Sequence, residues 1–463
     1  MNRKTIFIVI TRGFIVRSIL RSGVLEGLKD ANYRIVIFFP TNRKEIPDYL
    51  RREFEDEQVI LEGVPDVVAR GYSFFADKAS FLVYTSSSWV YSQINLKRLQ
   101  RSRFLKYFDI VFYGTLSKLH FLKTLVRFLE RKIFDHDAYA HYFEKYEPSL
   151  VFSTSVMAKL DISMMKEARK RGIPTLSMPK SWDNVTMQLY RFVPDRLIVQ
   201  NNIMKKSVAR VQRINPDDIF VCGFPQFDWY RRPEILVSRE EFCRWYGIDP
   251  RKKIIFYGSE GAWSGDDENA VSLLASWVNS QDALIEDCVL IIRPHFSEVA
   301  RGRFDRFKNE RVIVDGNFTA SDFFGDKWDP GIEETKKFAN LLNHCDVLIA
   351  VASTLTLDGA CFDKPLVNVA FGILYHPKTG KDISSIWYQS DHYRWVLEAG
   401  GVDIVASKES LLKSINTYLV DPMHKGDERK RLLDQLCHKT DGCSSKRVVA
   451  VIDAIIKSNQ PND

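Results

Sequence analysis

Long hydrophobic runs are missing from this sequence. Near the amino terminus the longest is Ile6 to Ile10, far short of the ~20 residues a bilayer span needs, and no small-residue cleavage site follows it. Paired cysteines are missing too. The seven cysteines (Cys222, Cys243, Cys288, Cys345, Cys361, Cys437 and Cys443) stand singly with no CxxC spacing, which excludes a disulfide framework and a zinc ribbon and suits free thiols in a reducing compartment. No low-complexity tract, internal repeat or recognisable nucleic-acid-binding module occurs. The expectation is a cytoplasmic, globular protein with no nucleic-acid partner.

What is present is enough apolar material for two cores. The chain has 463 residues, is 45% hydrophobic and carries 31 Phe, 18 Tyr and 9 Trp. That length exceeds the roughly 250 to 300 residues over which one core keeps growing. The formal charge of +7 is modest, but the stretch 97–132 is strongly basic, with leucines and phenylalanines at helical spacing among its cations. Two readings fit: a peripheral contact with anionic lipid at the inner face of the plasma membrane, or an amphipathic helix pair with a solvated basic face.

Strand and helix patterns alternate along the chain. Thr5 to Ile10 reads as a buried strand, Thr11-Arg12-Gly13 as a tight loop, Phe14 to Asp30 as a helix and Arg34 to Phe39 as the next strand. Further units run from Ser149 to Ser177 and from Arg196 to Cys222. A turn-rich linker follows Gly223, after which the pattern restarts at Lys253 and continues through strands at Val289, Arg311, Val347 and Leu366. Such alternation predicts parallel sheets covered on both faces. The expected segments are 1–228, 229–426 and 427–463.

In doubly wound sheets, ligands sit beyond the carboxyl ends of the strands, where helix N-termini present free amides. The loop after Val351 is one such place: Ser353 and Thr354 open a helix that carries Asp358. Their hydroxyls and amides suit a diphosphate and the acid suits ribose hydroxyls; alternatively Ser353 or Thr354 is only a helix cap. The stretch LLNHCDVLIAVASTLTLDGACFDKPLVNVAF resembles the nucleotide-binding segment of GT-B glycosyltransferases and their relatives, the UDP-sugar 2-epimerases and CDP-glycerol glycerophosphotransferases. Ser353, Thr354, Asp358, Lys364 and Pro365 match that pattern, with Asp358 where Glu is usual and Asp363 where Gly is usual. IIRPHF resembles the Lys/Arg-Pro-His segment of the glycerophosphotransferase and sialyltransferase-like relatives, which implies that Arg293 and His295 lie near the donor phosphates, His295 as a donor or an acid. GFPQFDWY resembles their Gly-x-Pro-x-x-Asp element through Gly223, Pro225 and Asp228.

In the first half, PKSWDNVT resembles a segment of surface-polysaccharide relatives. It offers Trp182 as a platform for a sugar face, Lys180 and Asn184 as acceptor contacts, and Asp183 as general base or else as a cap. Arg12 and Gly13 are assigned to the donor, Arg12 being able to meet a donor phosphate or an acidic acceptor.

The resemblance implies two Rossmann-like parallel-sheet domains facing across a cleft, the GT-B arrangement, with 1–228 as the acceptor domain, 229–426 as the nucleotide-sugar-binding domain and 427–463 as a helix returning toward the first. It also implies a metal-independent glycosyltransferase that moves a sugar from a nucleotide-activated donor to a carbohydrate or lipid-linked hydroxyl, in bacterial surface polysaccharide or glycolipid biosynthesis. No DxD-like loop is clearly placed after a strand, and no metal or other cofactor is expected. The alternatives are a UDP-sugar 2-epimerase, a CDP-glycerol glycerophosphotransferase-like enzyme, and a nucleotide-sugar-binding scaffold without turnover.

Overall fold

The computed structural model describes residues 3–41, 45–67, 71–83, 103–134, 137–280 and 282–459. Residues 97–102 of the basic stretch lie outside them. The first sheet holds β1 (Thr5–Val9), β2 (Arg34–Pro40), β3 (Val59–Val64), β4 (Pro148–Ser153), β5 (Thr175–Ser177), β6 (Arg196–Val199) and β7 (Ile219–Val221). They are ordered β3-β2-β1-β4-β5-β6-β7 and every pairing is parallel. The second holds β8 (Lys253–Gly258), β9 (Cys288–Arg293), β10 (Val312–Val314), β11 (Val347–Ala350), β12 (Leu366–Val369) and β13 (Asp403–Val405). Its order, β10-β9-β8-β11-β12-β13, repeats the same winding, again all parallel. This is the two-lobed GT-B architecture.

Both sheets start in the middle, so successive connections leave β1 and β4, and likewise β8 and β11, in opposite directions. That leaves a crevice at the carboxyl ends of each pair. The central strands are buried along their length apart from Lys253 at the start of β8, which is why they read as apolar runs. Among the described residues, no helix is long and apolar enough to cross a membrane.

Several contacts tie the lobes together, two of them through whole segments. The helix Ser444–Ser458 packs Val448, Ile452, Ile455 and Ile456 into the core of the first sheet. Asp228 caps its start by accepting from the amides of Ser444 (3.0 Å) and Ser445 (2.7 Å). Gly223, at φ +87°, leaves room for Ser444 Oγ, which a Cβ there would meet at 2.5 Å. The Gly-x-Pro-x-x-Asp element is therefore a seat for the carboxy-terminal helix.

The second tie is a strap, residues 315–331, that leaves β10 and crosses to the first lobe. Phe323 and Phe324 enter the first core beside Phe39. Asp329, fully buried, pairs with Arg21 at 2.5 Å and accepts from Tyr49 Oη at 2.7 Å. Burial works to lower the Arg21 pKa, but the bonds and attraction from Glu53 and Asp329 outweigh it and hold the guanidinium charged.

The helix expected from Phe14 to Asp30 is broken. A short turn at Gly13–Ile15 runs into a π-helical turn, Val16–Leu20, and a regular helix resumes only at Val24–Asp30. The break falls at Gly23, whose amide donates to Ser445 Oγ (3.2 Å) where the carboxy-terminal helix docks.

Removing one partner of a buried pair strands the other charge. Asp329→Asn is expected to lower stability by about 3 kcal/mol, read as a shift in the urea midpoint, whereas Lys457→Ala, at an exposed pair, changes it little.

Candidate functional site: the cleft between the sheets

The loop after β8 and the loop after β11 meet at the switch point of the second sheet. Glu260, from the first, lies close enough to Ser353, from the second, for the hydroxyl to pull down the pKa of its carboxyl. Ser353 Oγ also accepts from the amide of Leu355 (3.0 Å), fixing the start of the helix Leu355–Ala360. Ser353 is thus both cap and cleft wall. A cavity of about 320 Å³ opens over this junction, and its walls include Ser353, Thr354, Asp358, Arg293 and His295 from the second lobe. From the first lobe come Arg17, Lys180 and Trp182. An adjoining cavity of about 210 Å³ shares Glu260, Ser353 and Thr354 and adds Asp183 and His392.

Several expected residues are brought together here, but their chemistry differs from the sequence reading. Arg293 lies in the wall with its charge already committed, to Asp315 (2.6 Å) and Glu334 (3.2 Å), and sandwiched by the rings of Phe318 and Phe338. A guanidinium held by two buried carboxylates offers little net charge to a diphosphate. Trp182 is not an open platform: it is 2% exposed. Its indole N–H donates to Thr354 Oγ1 (3.1 Å), and its ring meets His392 edge to face, so it braces one lobe against the other. Asn184 is buried, lines neither cavity and donates to Asp183 Oδ1 (3.1 Å). It positions Asp183, which makes no side-chain cap to the helix Asn184–Met187 that it precedes.

Gly13 is likewise not a phosphate cradle. Its amide donates to Asp326 Oδ1 (3.0 Å) in the strap, and a Cβ at this position would lie 1.6 Å from the Trp328 carbonyl oxygen. Arg12 faces a different cavity, of about 550 Å³ at the carboxyl ends of the first sheet, which Lys180 also lines. Neither cation makes a hydrogen bond or ion pair to a described residue. Burial lowers the Lys180 pKa, and the nearby Arg12 adds to the effect.

Two residues of the cleft escaped the sequence reading. Arg17, on the π-helical turn, lies over the Trp328 ring at 5.6 Å, and its buried Nε has no hydrogen-bond partner. It makes no ion pair with a described residue, and it approaches Asp358 closely enough to pull that pKa down. π turns concentrate at functional sites because they re-aim side chains, and no motif marks them. Glu260 is the other; its loop reads in sequence only as glycine-rich.

Burial pushes the Glu260 carboxyl up to about 7, Ser353 pulling it down and Asp267, Asp183 and Asp358 pushing it further. Asp358 is raised by burial to about 6, against the hydrogen bond from Tyr230 Oη (2.6 Å) and the attraction of Arg17. Burial lowers His295 to about 4, so its imidazole is neutral near pH 7 in the empty cleft. An arriving phosphate would raise it. His392 is also lowered by burial, with Asp183 and Asp391 opposing. Among the described residues, no group of three or more His, Cys, Asp or Glu side chains is arranged to hold a metal ion.

A family model described as CDP-Glycerol:Poly(glycerophosphate) glycerophosphotransferase matches residues 180–454, more than half of the chain. The chain belongs to this family. The match takes in the Lys180–Asp183 loop, Glu260, Arg293, His295 and the Ser353 turn, and leaves out Arg12 and Arg17. No curated protein matches the chain. Solved structures share the fold at low identity. UDP-GlcNAc 2-epimerase from Neisseria meningitidis, bound to UDP-GlcNAc, has a TM-score of 0.57 at 10% identity, over 98% of this chain and 100% of that one. The S. aureus MnaA–UDP co-structure gives 0.56 at 10%, covering 99% of each. The wall teichoic acid polymerase TagF with CDPG gives 0.50 at 14%, over 99% of this chain and 90% of that one.

The folded protein holds the Glu260 proton more tightly than the unfolded chain, whose value is near 4.5. Stability from this group is therefore complete below that pH and is lost as pH rises toward 7. Glu260→Gln is expected to stabilise the protein by about 1–3 kcal/mol at pH 8 and to flatten the loss between pH 5 and 8. Denaturant midpoints measured across that range check both.

Proposed function

We propose that the chain is a transferase that moves a group from a nucleotide-activated donor to an acceptor hydroxyl in the synthesis of a bacterial envelope polymer. The sequence reading puts glycosyl transfer first and a glycerophosphotransferase-like reaction as an alternative; family membership favours the second. The expected donor is a CDP-linked polyol, as in the family description. The observation that carries the reading is the Glu260–Ser353 junction at the switch point of the second sheet, faced across the cleft by the uncommitted cation of Arg17.

In this reaction the acceptor oxygen forms a bond to the donor's outer phosphorus, the bond to the nucleotide phosphate breaks, and the hydroxyl proton passes to a base. Asp183, steadied by Asn184, is the proposed base. Arg17 would neutralise the departing phosphate. Ser353 and Thr354 would supply hydroxyl donors, and Glu260, protonated near neutrality, would donate to a phosphate oxygen in place of repelling it. Arg293 would hold the wall through Asp315 and Glu334, and His295 would contact the donor as a neutral group. Arg12 and Lys180, in the first-sheet cavity, would face the acceptor. The proposed setting is cytoplasmic and the acceptor a carbohydrate or lipid-linked hydroxyl.

A second reading, a UDP-sugar 2-epimerase, draws support from Glu260, Asp183 and His392 around the smaller cavity. An epimerase needs acids and a histidine near the sugar and no acceptor at all.

A thermal-shift panel of CDP-glycerol, UDP-GlcNAc, CMP and UDP separates the two, since selective binding raises the melting temperature. The expected outcome is stabilisation by CDP-glycerol. Conversion of UDP-GlcNAc without acceptor would establish the epimerase instead. Arg17→Ala is expected to reduce kcat/KM by about 100-fold and to shrink the ligand-induced shift. An unchanged shift in this variant overturns the donor-site assignment.

A further inference from the structure

The helix pair Arg103–Leu116 and His120–Ile133 lies outside the segment matched to the family. Its second helix is inside out. Toward the protein it turns its charges: Lys123 Nζ donates to the Val211 carbonyl (2.8 Å), and Arg127 donates to the carbonyls of Tyr190 (2.9 Å) and Gln212 (2.8 Å). Glu130, fully buried, pairs with Lys166 (3.0 Å) and Arg191 (3.3 Å). Burial brings Lys123 down to about 8 and Arg127 to about 10. Only a narrow strip, Leu122 and Val126, adds apolar packing beside them.

The opposite side carries the large hydrophobic residues. Phe121, Leu125 and Phe128, spaced i, i+4 and i+7, are 64%, 44% and 47% exposed. On the preceding helix, Phe104, Phe108, Val111 and Phe112 are exposed at the same spacing, with Phe108 and Phe112 stacked. A surface helix in water normally buries its apolar stripe and solvates its charges. This one does the reverse, at the cost of desolvating two cations, so its outer face is built for an apolar medium.

The charges that remain outside select the medium. Lys118, Arg131 and Lys132 are exposed around the aromatic face, and the one carboxylate among the described side chains of the two helices, Glu130, is withdrawn inside. An apolar face whose described exposed charges are all cationic is complementary to a bilayer with anionic headgroups, whereas a second copy of this chain would set those cations against each other. We infer that the outer face of this helix pair is a membrane-docking surface. It inserts Phe121, Leu125, Phe128 and the aromatics of the preceding helix into the interface of an anionic bilayer, while Lys118, Arg131 and Lys132 meet lipid phosphates.

The surface also adjoins the first-sheet cavity. Phe134, at the end of the second helix, packs on Tyr72 and Phe75 of the helix Tyr72–Ser80. Tyr72, Ser73, Ala76 and Ser80 of that helix line the cavity that holds Arg12 and Lys180. An acceptor held in the bilayer would therefore reach the cavity beside the docked face.

The test is co-sedimentation of the full chain with vesicles of phosphatidylglycerol and phosphatidylcholine, without donor or acceptor, so its outcome is separate from that of the transfer reaction. The wild-type chain is expected to bind mixed vesicles and to bind pure phosphatidylcholine at least tenfold more weakly. Phe121→Ser with Phe128→Ser should lose binding at least tenfold while keeping the wild-type melting temperature. Arg131→Glu with Lys132→Glu should weaken binding and reduce its dependence on salt. Absence of binding to the mixed vesicles overturns the proposal, and so does unchanged binding by the double serine variant. A concentration-dependent dimer that the same variant dissolves overturns it too, and assigns the face to a second copy.

Discussion

Arg21 and Asp329 are both withdrawn from water, one on each lobe, and each draws its counter-charge from the other, Arg21 sharing its own with Glu53. That pairing sets the relation of the two sheets. With the pair formed, the strap lies under the first sheet, Phe323 and Phe324 complete its core, and the carboxyl ends of β1 and β8 face one cleft. The Trp182–Thr354 bond closes the far side of the same cleft. Everything chemical in the molecule, from Arg17 on one wall to Ser353 on the other, inherits its spacing from these few contacts across the divide.

The cleft is also acid-rich in an unusual way. Burial holds Glu260 and Asp358 well above ordinary carboxylates, so near neutrality part of this acidity is stored as protons. A site lined by ionised acids would repel a diphosphate; one lined by carboxyl groups that keep their protons can donate to it. Arg293, already neutralised by Asp315 and Glu334, contributes shape and rigidity, and the one arginine left without a carboxylate partner in the wall is Arg17. The division is economical: committed ions fix the frame, and Arg17 is left uncommitted in the cleft.

Much of the fold was legible because buried parallel strands leave continuous apolar runs, as in β1, β2, β8 and β9. β3 was not, since Glu62 and Gly63 interrupt its pattern, and β13 was too short to stand out. The switch-point loops were found through Ser353, Thr354 and Asp358, whose residue types are distinctive. Glu260 lay hidden because its significance comes from a partner 93 positions away in sequence, and Arg17 because a π turn has no sequence signature. Arg293 misled for the same reason: the acids that quench it, Asp315 and Glu334, lie beyond β9 and become neighbours only when the second sheet winds. Single motifs disclosed which loops matter, while the charge state of each loop was decided by tertiary contacts.

One contact of the strap bears on how the molecule opens. Asp326 already occupies the amides of Gly13 and Phe14, the donors that a helix start would otherwise extend to an incoming anion. Any ligand group that takes those amides must first expel a side chain belonging to the other lobe, so occupancy of that spot and separation of the lobes are thermodynamically linked, each favouring the other by the same factor. The carboxylate acts as an internal competitor whose effective concentration is set by the strap that carries it.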